Sequence, residues 1–286
     1  MSERLDSRRT FLGIASSALA VGLAGCTSTD SQTAEPAGNS TNTNSRTGTE
    51  TEGNTETNTD SGTEFTSASN DAKVSFGTPM DSQTVSGGVS VIMNSENFTI
   101  EKSGEVNDNA GHFHVLVDTD PVETGKPIPS DDQHIHFGDA STETVLDLEP
   151  GDHTLTLQVA DGAHRAYDVT DTVEITVEKA SAQFTNVADG DTVSTPVTLE
   201  WEAENYTLEQ AGEVTQSAGH AHLILDADSV PVGDVIPNDE QHIHFGDGSS
   251  TTELELESGE HTLILQMGNG HHLATPLTQT VNLTVD

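Results

Sequence analysis

The chain is one unit written twice. Residues 73–178, slid by 108 positions, fall without a gap on 181–286, and 50 of the 106 aligned positions are identical. Asp81 meets Asp189, Gly104 meets Gly212, Glu105 meets Glu213 and Gly151 meets Gly259. Solenoid repeats are shorter and come in longer arrays, so a twofold repeat of this length predicts tandem domains, at 73–179 and 180–286. In the first copy, β-rich runs at 73–76, 89–93, 98–101, 112–118, 145–148, 153–159 and 172–177 alternate with Gly, Pro and Asp. Seven such runs predict an all-β fold, two tandem immunoglobulin-like β-sandwiches. No window holds a 3.6-residue apolar period, so no long helix is expected.

The residues before the repeats read as an address followed by a tether. Ser7-Arg8-Arg9-Thr10-Phe11-Leu12 resembles the twin-arginine export motif, with Arg8 and Arg9 as its pair. The apolar stretch 14–23 is interrupted by Ser16, Ser17 and Gly22. It is too short for a membrane-spanning helix of about 20 residues. It ends in Leu23-Ala24-Gly25-Cys26, which resembles a lipobox, where the cysteine is lipidated and becomes the new N-terminus. Residues 1–26 are therefore expected to export the chain and to anchor it, through lipid on Cys26, to the outer face of the cytoplasmic membrane. An uncleaved signal anchor with an incidental cysteine is the alternative. Residues 27–72 are almost entirely Ser, Thr, Asn, Gly, Glu and Asp, with Phe65 the one large apolar side chain. A segment that can bury so little surface is expected to be a disordered linker.

Acids outnumber bases 48 to 9, a net charge of −39. This excludes nucleic acid and anionic headgroups as electrostatic partners, since both would be repelled. Only four of the nine bases are lysine. An acid-rich, lysine-poor surface on patterned segments suits a folded protein in molar salt, where the Debye length is about 3 Å. The single cysteine excludes disulfides within one chain and any four-cysteine zinc site.

All 13 histidines lie between residues 112 and 272, and six positions recur between copies. His112 and His114, and again His134 and His136, sit two apart, as do His220 with His222 and His242 with His244. On an extended strand, residues two apart project from one face about 7 Å apart, so each pair can converge on one ion. Two pairs per copy would supply four neutral nitrogens, a set suited to copper or zinc. Met80, Met93 and Met267 do not recur, which argues against a thioether Cu(I) site. Asp139 and Asp247 are candidate further ligands or acceptors for a far ring nitrogen, as are His164 and His272 in a hairpin loop. His153 and His261 share a strand face with apolar residues, such as Leu155, Leu157 and Val159 in the first copy. They are expected to be structural, tied to a nearby turn as a strand-start tyrosine is in immunoglobulin-like folds. The bland alternative makes every histidine structural, in an adhesive or stalk-like surface module.

The runs Gly-His-x-His, Ile-Pro-x-Asp-x-Gln-His-Ile-His-Phe-Gly and Gly-x-His-Thr-Leu occupy 111–118, 128–138 and 151–155, and recur at 219–226, 236–246 and 259–263. They resemble the domain-of-unknown-function family four-three-nine-nine, and the resemblance covers most of 73–286. It implies an exported β-domain and brings no activity. The family commonly reads Gly-His-His-His, whereas Phe113 and Ala221 stand in the middle here. A middle residue points to the opposite face, so the change spares the pair. The pairs are also similar to one in Cu/Zn superoxide dismutase, but that enzyme's other ligand loops and disulfide have no counterpart. A redox enzyme is the lesser reading, and nothing resembles a nucleophile elbow. The expectation is a non-catalytic, lipid-anchored surface protein that binds copper or zinc, handing it to or taking it from an envelope partner.

Overall fold

The computed structural model describes residues 64–286. Arg8, Arg9, Cys26 and residues 27–63 lie outside the described residues. Among the described residues there are strands and no helix. The first repeat holds β1 (Lys73–Thr78), β2 (Gln83–Ser86), β3 (Val89–Glu96), β4 (Thr99–Ile100), β5 (Ala110–Val117), β6 (His134–His136), β7 (Glu143–Leu146), β8 (Gly151–Ala160) and β9 (Ala166–Glu178). The second repeats the order with β10 (Ser181–Phe184), β11 (Thr192–Val193), β12 (Val197–Glu204), β13 (Thr207–Leu208), β14 (Ala218–Leu225), β15 (His242–Phe245), β16 (Thr251–Leu254), β17 (Gly259–Gly268) and β18 (Ala274–Val285). The fold is two tandem immunoglobulin-like β-sandwiches.

In the first sandwich a small sheet, β1-β3-β7, faces a larger one in which β2, β9, β8 and β5 lie side by side. The free edge of β5 is divided: β4 runs parallel to it at Ala110 and Gly111, and β6 pairs antiparallel with it from His114 to Leu116. Strand alternation sends Phe113 and Val115 inward, where they meet Val91 and Met93 of β3 and Leu155 and Leu157 of β8. His112, His114 and Leu116 take the outer face. An outer face of an antiparallel sheet usually meets water, yet all eight residues of β5 are buried.

The cover over that face comes from the connection between β5 and β6, which folds back across the sheet. The buried side-chain amide of Gln158 accepts from the Val122 N–H at 2.9 Å and donates to the Val122 carbonyl at 2.9 Å. Gln266 holds Val230 in the same way at 3.0 and 2.8 Å. Ile128 of this connection packs with Ala160 and Ala166. Nothing in the local sequence pattern marks Gln158 and Gln266 as clamps except their recurrence.

Two further features concern the segment before the repeats and the junction between them. Residues 64–72, expected to belong to a disordered linker, carry no strand but lie on the first sandwich. Phe65, the segment's large apolar side chain, finds cover 5.3 Å from the Tyr167 ring, and the Asn97 amide donates to the Asp71 carbonyl at 3.2 Å. The two sandwiches also meet through a polar seam. Gln216 Oε1 accepts from the Ser90 N–H at 3.2 Å, the Ser86 N–H donates to Ser217 Oγ at 2.8 Å, and His271 Nδ1 lies 2.6 Å from Glu143.

Gly111 shows how tightly the site's strand is held. A Cβ at this position would sit 1.9 Å from the Ala160 carbonyl oxygen, and one at Gly219 2.0 Å from that of Gly268. Gly111→Ala is therefore expected to force β5 from β8 and lower stability by about 3 kcal/mol, read from urea unfolding of residues 64–286. Wild-type stability in this variant would show that the strands are not packed this closely.

Candidate metal centre

Four imidazoles meet in each repeat. β5 presents His112 and His114 on its outer face, and register places His136 of β6 directly opposite His114. The fourth, His164, comes from the turn between β8 and β9. There Asp161 accepts from the N–H groups of Ala163 and Arg165, both at 2.9 Å, and the His164 N–H donates to the Asp161 carbonyl at 2.8 Å. His164 is held at φ 65° and His272 at φ 67°, a left-handed conformation uncommon for a non-glycine residue. The second cage consists of His220, His222, His244 and His272, with Asn269 replacing Asp161 in the turn.

The Nε2 atoms point inward. Those of His112 and His114 are 3.1 Å apart, as are those of His136 and His164, and of His244 and His272. Ligands about 2.05 Å from a tetrahedral ion are separated by about 3.3 Å, so these distances suit one ion shared by converging rings. His112, His114, His220 and His222 are buried, while His136, His164, His244 and His272 form the rim.

The chemistry of the donor set follows from that burial. The Nδ1 atoms of His112, His114 and His222, and both ring nitrogens of His220, are buried with no hydrogen-bond partner. Burial, reinforced by the neighbouring imidazoles, lowers His112 to about 4, His114 to about 3, His220 to about 4 and His222 to about 2. His136 and His244 are also lowered, by burial first and then by His164 and His272. The deep rings are therefore neutral near pH 7, with lone pairs free for a soft or borderline cation, and protons compete only well below the ordinary imidazole range. A cavity around the exposed His136 is also lined by Asp139, Glu143 and Asp234.

Not every histidine in the expected pairs reaches the cage. His134 pairs opposite Leu116, one step beyond His114, and its Nδ1 lies 2.6 Å from Asp131; His242 does the same with Asp239 at 2.8 Å. His164 and His272 take the fourth places. Asp139 and Asp247 lie near the rim and accept the N–H groups of Ser141 and Ser249, both at 3.0 Å. Sequence reasoning also missed Gly138 and Gly246, where a Cβ would lie 2.2 and 2.3 Å from the His136 and His244 rings. Their signal is the glycine that closes His-Ile-His-Phe-Gly in both copies.

The sequence profile of the domain of unknown function DUF4399 matches residues 91–178 and 199–286, one match in each copy. No curated protein sequence matches the chain. Among solved structures, the fibronectin(III)-like modules of Clostridium thermocellum CbhA are similar at 12% identity and a TM-score of 0.25, over 74% of this chain and 94% of that one. Tandem Ig repeats of Dlar are similar at 9% identity and a TM-score of 0.23, over 75% and 97% of the two chains. Bacteroides uniformis β-glucuronidase 3 is similar at 10% identity and a TM-score of 0.23, over 76% of this chain and 25% of the enzyme.

His153 and His261 stand outside the cages. His153 Nδ1 lies 2.7 Å from Asp118 Oδ2 and its Nε2 2.7 Å from the Glu149 carbonyl; His261 repeats this with Asp226 and Glu257 at 2.8 and 3.0 Å. Both partners accept, so both ring nitrogens donate and the imidazole is held protonated. Partial burial opposes the charge, but the Glu149 carbonyl and the Asp118 carboxylate outweigh it and raise the His153 pKa. A raised folded pKa contributes stability that is fully present below about pH 6.5 and is lost as pH rises through the folded value. His153→Ala is expected to cost about 2 kcal/mol at pH 6 and less at pH 9, measured by urea unfolding. A cost that grows with pH would mean that the ring is neutral.

Proposed function

The chain belongs to the DUF4399 family of domains of unknown function, in two tandem copies, and we propose that each copy binds one transition-metal ion, copper or zinc. The observation that carries this is the convergence of four imidazoles in each copy, the two on the central strand buried with ring nitrogens that lack a hydrogen-bond partner, and three of the four with ring nitrogens within 4.8 Å of one another. A cation would accept the Nε2 lone pairs that now face one another at 3.1 Å across each cage. Structural histidines would be expected to resemble His153, with both ring nitrogens partnered. His112, His114, His136 and His164 would hold the first ion, and His220, His222, His244 and His272 the second. The module binds and releases ions rather than turning over a substrate.

Protein purified without a histidine tag should bind two ions per chain by elemental analysis and calorimetry. His136→Ala with His164→Ala should reduce this to one, while His134→Ala should leave two. Dissociation constants no tighter than about 10 µM, or a loss of binding in His134→Ala alone, would remove the metal reading.

We further propose that the protein works at the cell surface, exported by the Arg8-Arg9 motif and anchored through lipid on Cys26, with its acid excess suited to high salt. In this setting the cages would capture an ion for, or deliver one to, an envelope partner. Cys26→Ser should move the protein from the membrane fraction to the soluble exported fraction. Equally firm membrane attachment of the variant would show that the tether is elsewhere.

A further inference from the structure

We propose that an ion held in either cage keeps one coordination position open, on the side where His114 and His164, or His222 and His272, stand apart, and that this position takes a small anionic donor. The inference rests on the metal-binding reading above and deepens it.

The four rings are not evenly spread. In the first cage five of the six centroid separations lie between 4.8 and 5.0 Å, and the sixth, His114 to His164, is 6.2 Å. In the second, five lie between 4.7 and 5.1 Å, and the equivalent separation, His222 to His272, is 5.9 Å. With nitrogen about 2.05 Å from an ion and the ring centroid about 1.1 Å beyond it, a regular tetrahedron gives six separations of about 5.2 Å, and a linear pair gives about 6.3 Å. His114 and His164 thus stand close to a trans pair. His112 and His136 then fill two of the three places around the axis between them. The third place has no histidine in either copy.

The fold explains why the same pair is spread in both repeats. His112 and His114 are fixed on one strand, and His136 is fixed opposite His114 by register. His164 and His272 hang from turns whose backbone is held by Asp161 and Asn269, which fixes where each ring leaves the chain. Four rings spread this way occupy four of five places around an ion, and the fifth is a place for an exchangeable ligand, as the open position of a catalytic zinc site is. The charge of that ligand follows from the donors. Four neutral imidazoles add no negative charge to the ion; the buried Asp161 of the first repeat is already paired with Arg165 at 2.7 Å, and Asp139 and Asp247 accept from the Ser141 and Ser249 N–H groups. A small anion is therefore favoured over a neutral donor.

The test uses the full chain loaded with Co(II). Its visible bands should shift on addition of azide, saturating at one azide per ion, with the cobalt content unchanged. X-ray absorption at the cobalt edge should then count four imidazoles plus the azide. Cobalt bound at two ions per chain with bands indifferent to azide would overturn the open position and leave the metal module standing. Three imidazoles plus azide would also overturn it, because the anion would then have displaced a histidine. Failure to bind cobalt, zinc or copper would overturn the metal module and this inference together.

Discussion

Everything distinctive in this protein depends on β5 and β14 having no solvent face. One side of each strand packs into a sandwich core, as the alternation of Phe113 and Val115 requires. The other side would ordinarily meet water, but the chain returns over it and is pinned there by Gln158 or Gln266. Imidazoles on that side are cut off from water and from most hydrogen-bond partners. A neutral imidazole has one donor and one acceptor nitrogen, so rings packed edge to edge satisfy each other only in part. The arrangement persists in both copies although about half of the aligned residues differ.

Much of this was legible before the structure. The repeat, the absence of a long helix among the described residues and most strands follow from self-similarity and local pattern, because strand alternation is written within a few residues. The identity of the histidines that matter was legible only in part. His112 and His114 are adjacent on one strand, and their shared face is a local property. Which of His134 and His136 joins them depends on the register between β5 and β6, which pairs His136 with His114 and leaves His134 opposite Leu116. The fourth ring depends on a turn in the left-handed region, a conformation that a histidine does not announce. The recurrence of His164 as His272 was the available signal, and it placed them only as candidates. Phe65 was visible as an apolar residue in a polar segment, but its cover, Tyr167, lies 102 positions away in sequence.

The two repeats share ligands and differ in what surrounds them. In the first, the turn that carries His164 pairs the buried Asp161 with the partly exposed Arg165. In the second, the same positions are Asn269 and Leu273, and the Asn269 amide donates across the seam to Ser90 Oγ at 3.2 Å. The seam is directional, joining one face of the first sandwich to a different face of the second. Gly87 and Gly88 allow that approach, since a Cβ on Gly87 would lie 2.6 Å from the Tyr206 ring and one on Gly88 2.7 Å from Pro276. A face that meets a different face could in principle add copies without limit. In the second repeat the glycines are replaced by Thr195 and Pro196, whose side chains would occupy the space that the close approach needs.

That directionality gives the two cages different settings within one chain. The rim of the first cage lies at the seam: His136 and Asp139 share a cavity with Glu143, and Val232, Gly233 and Asp234 of the second repeat form its other wall. Glu143 also meets His271, the residue beside His272 in the second cage. Under the proposed metal binding, an ion approaching His136 would pass carboxylates from both repeats, whose field would concentrate cations locally. Thus the four histidines are repeated while the cavity beside the first cage is assembled from both copies, so the proposed sites would be set in different surroundings rather than simply doubled.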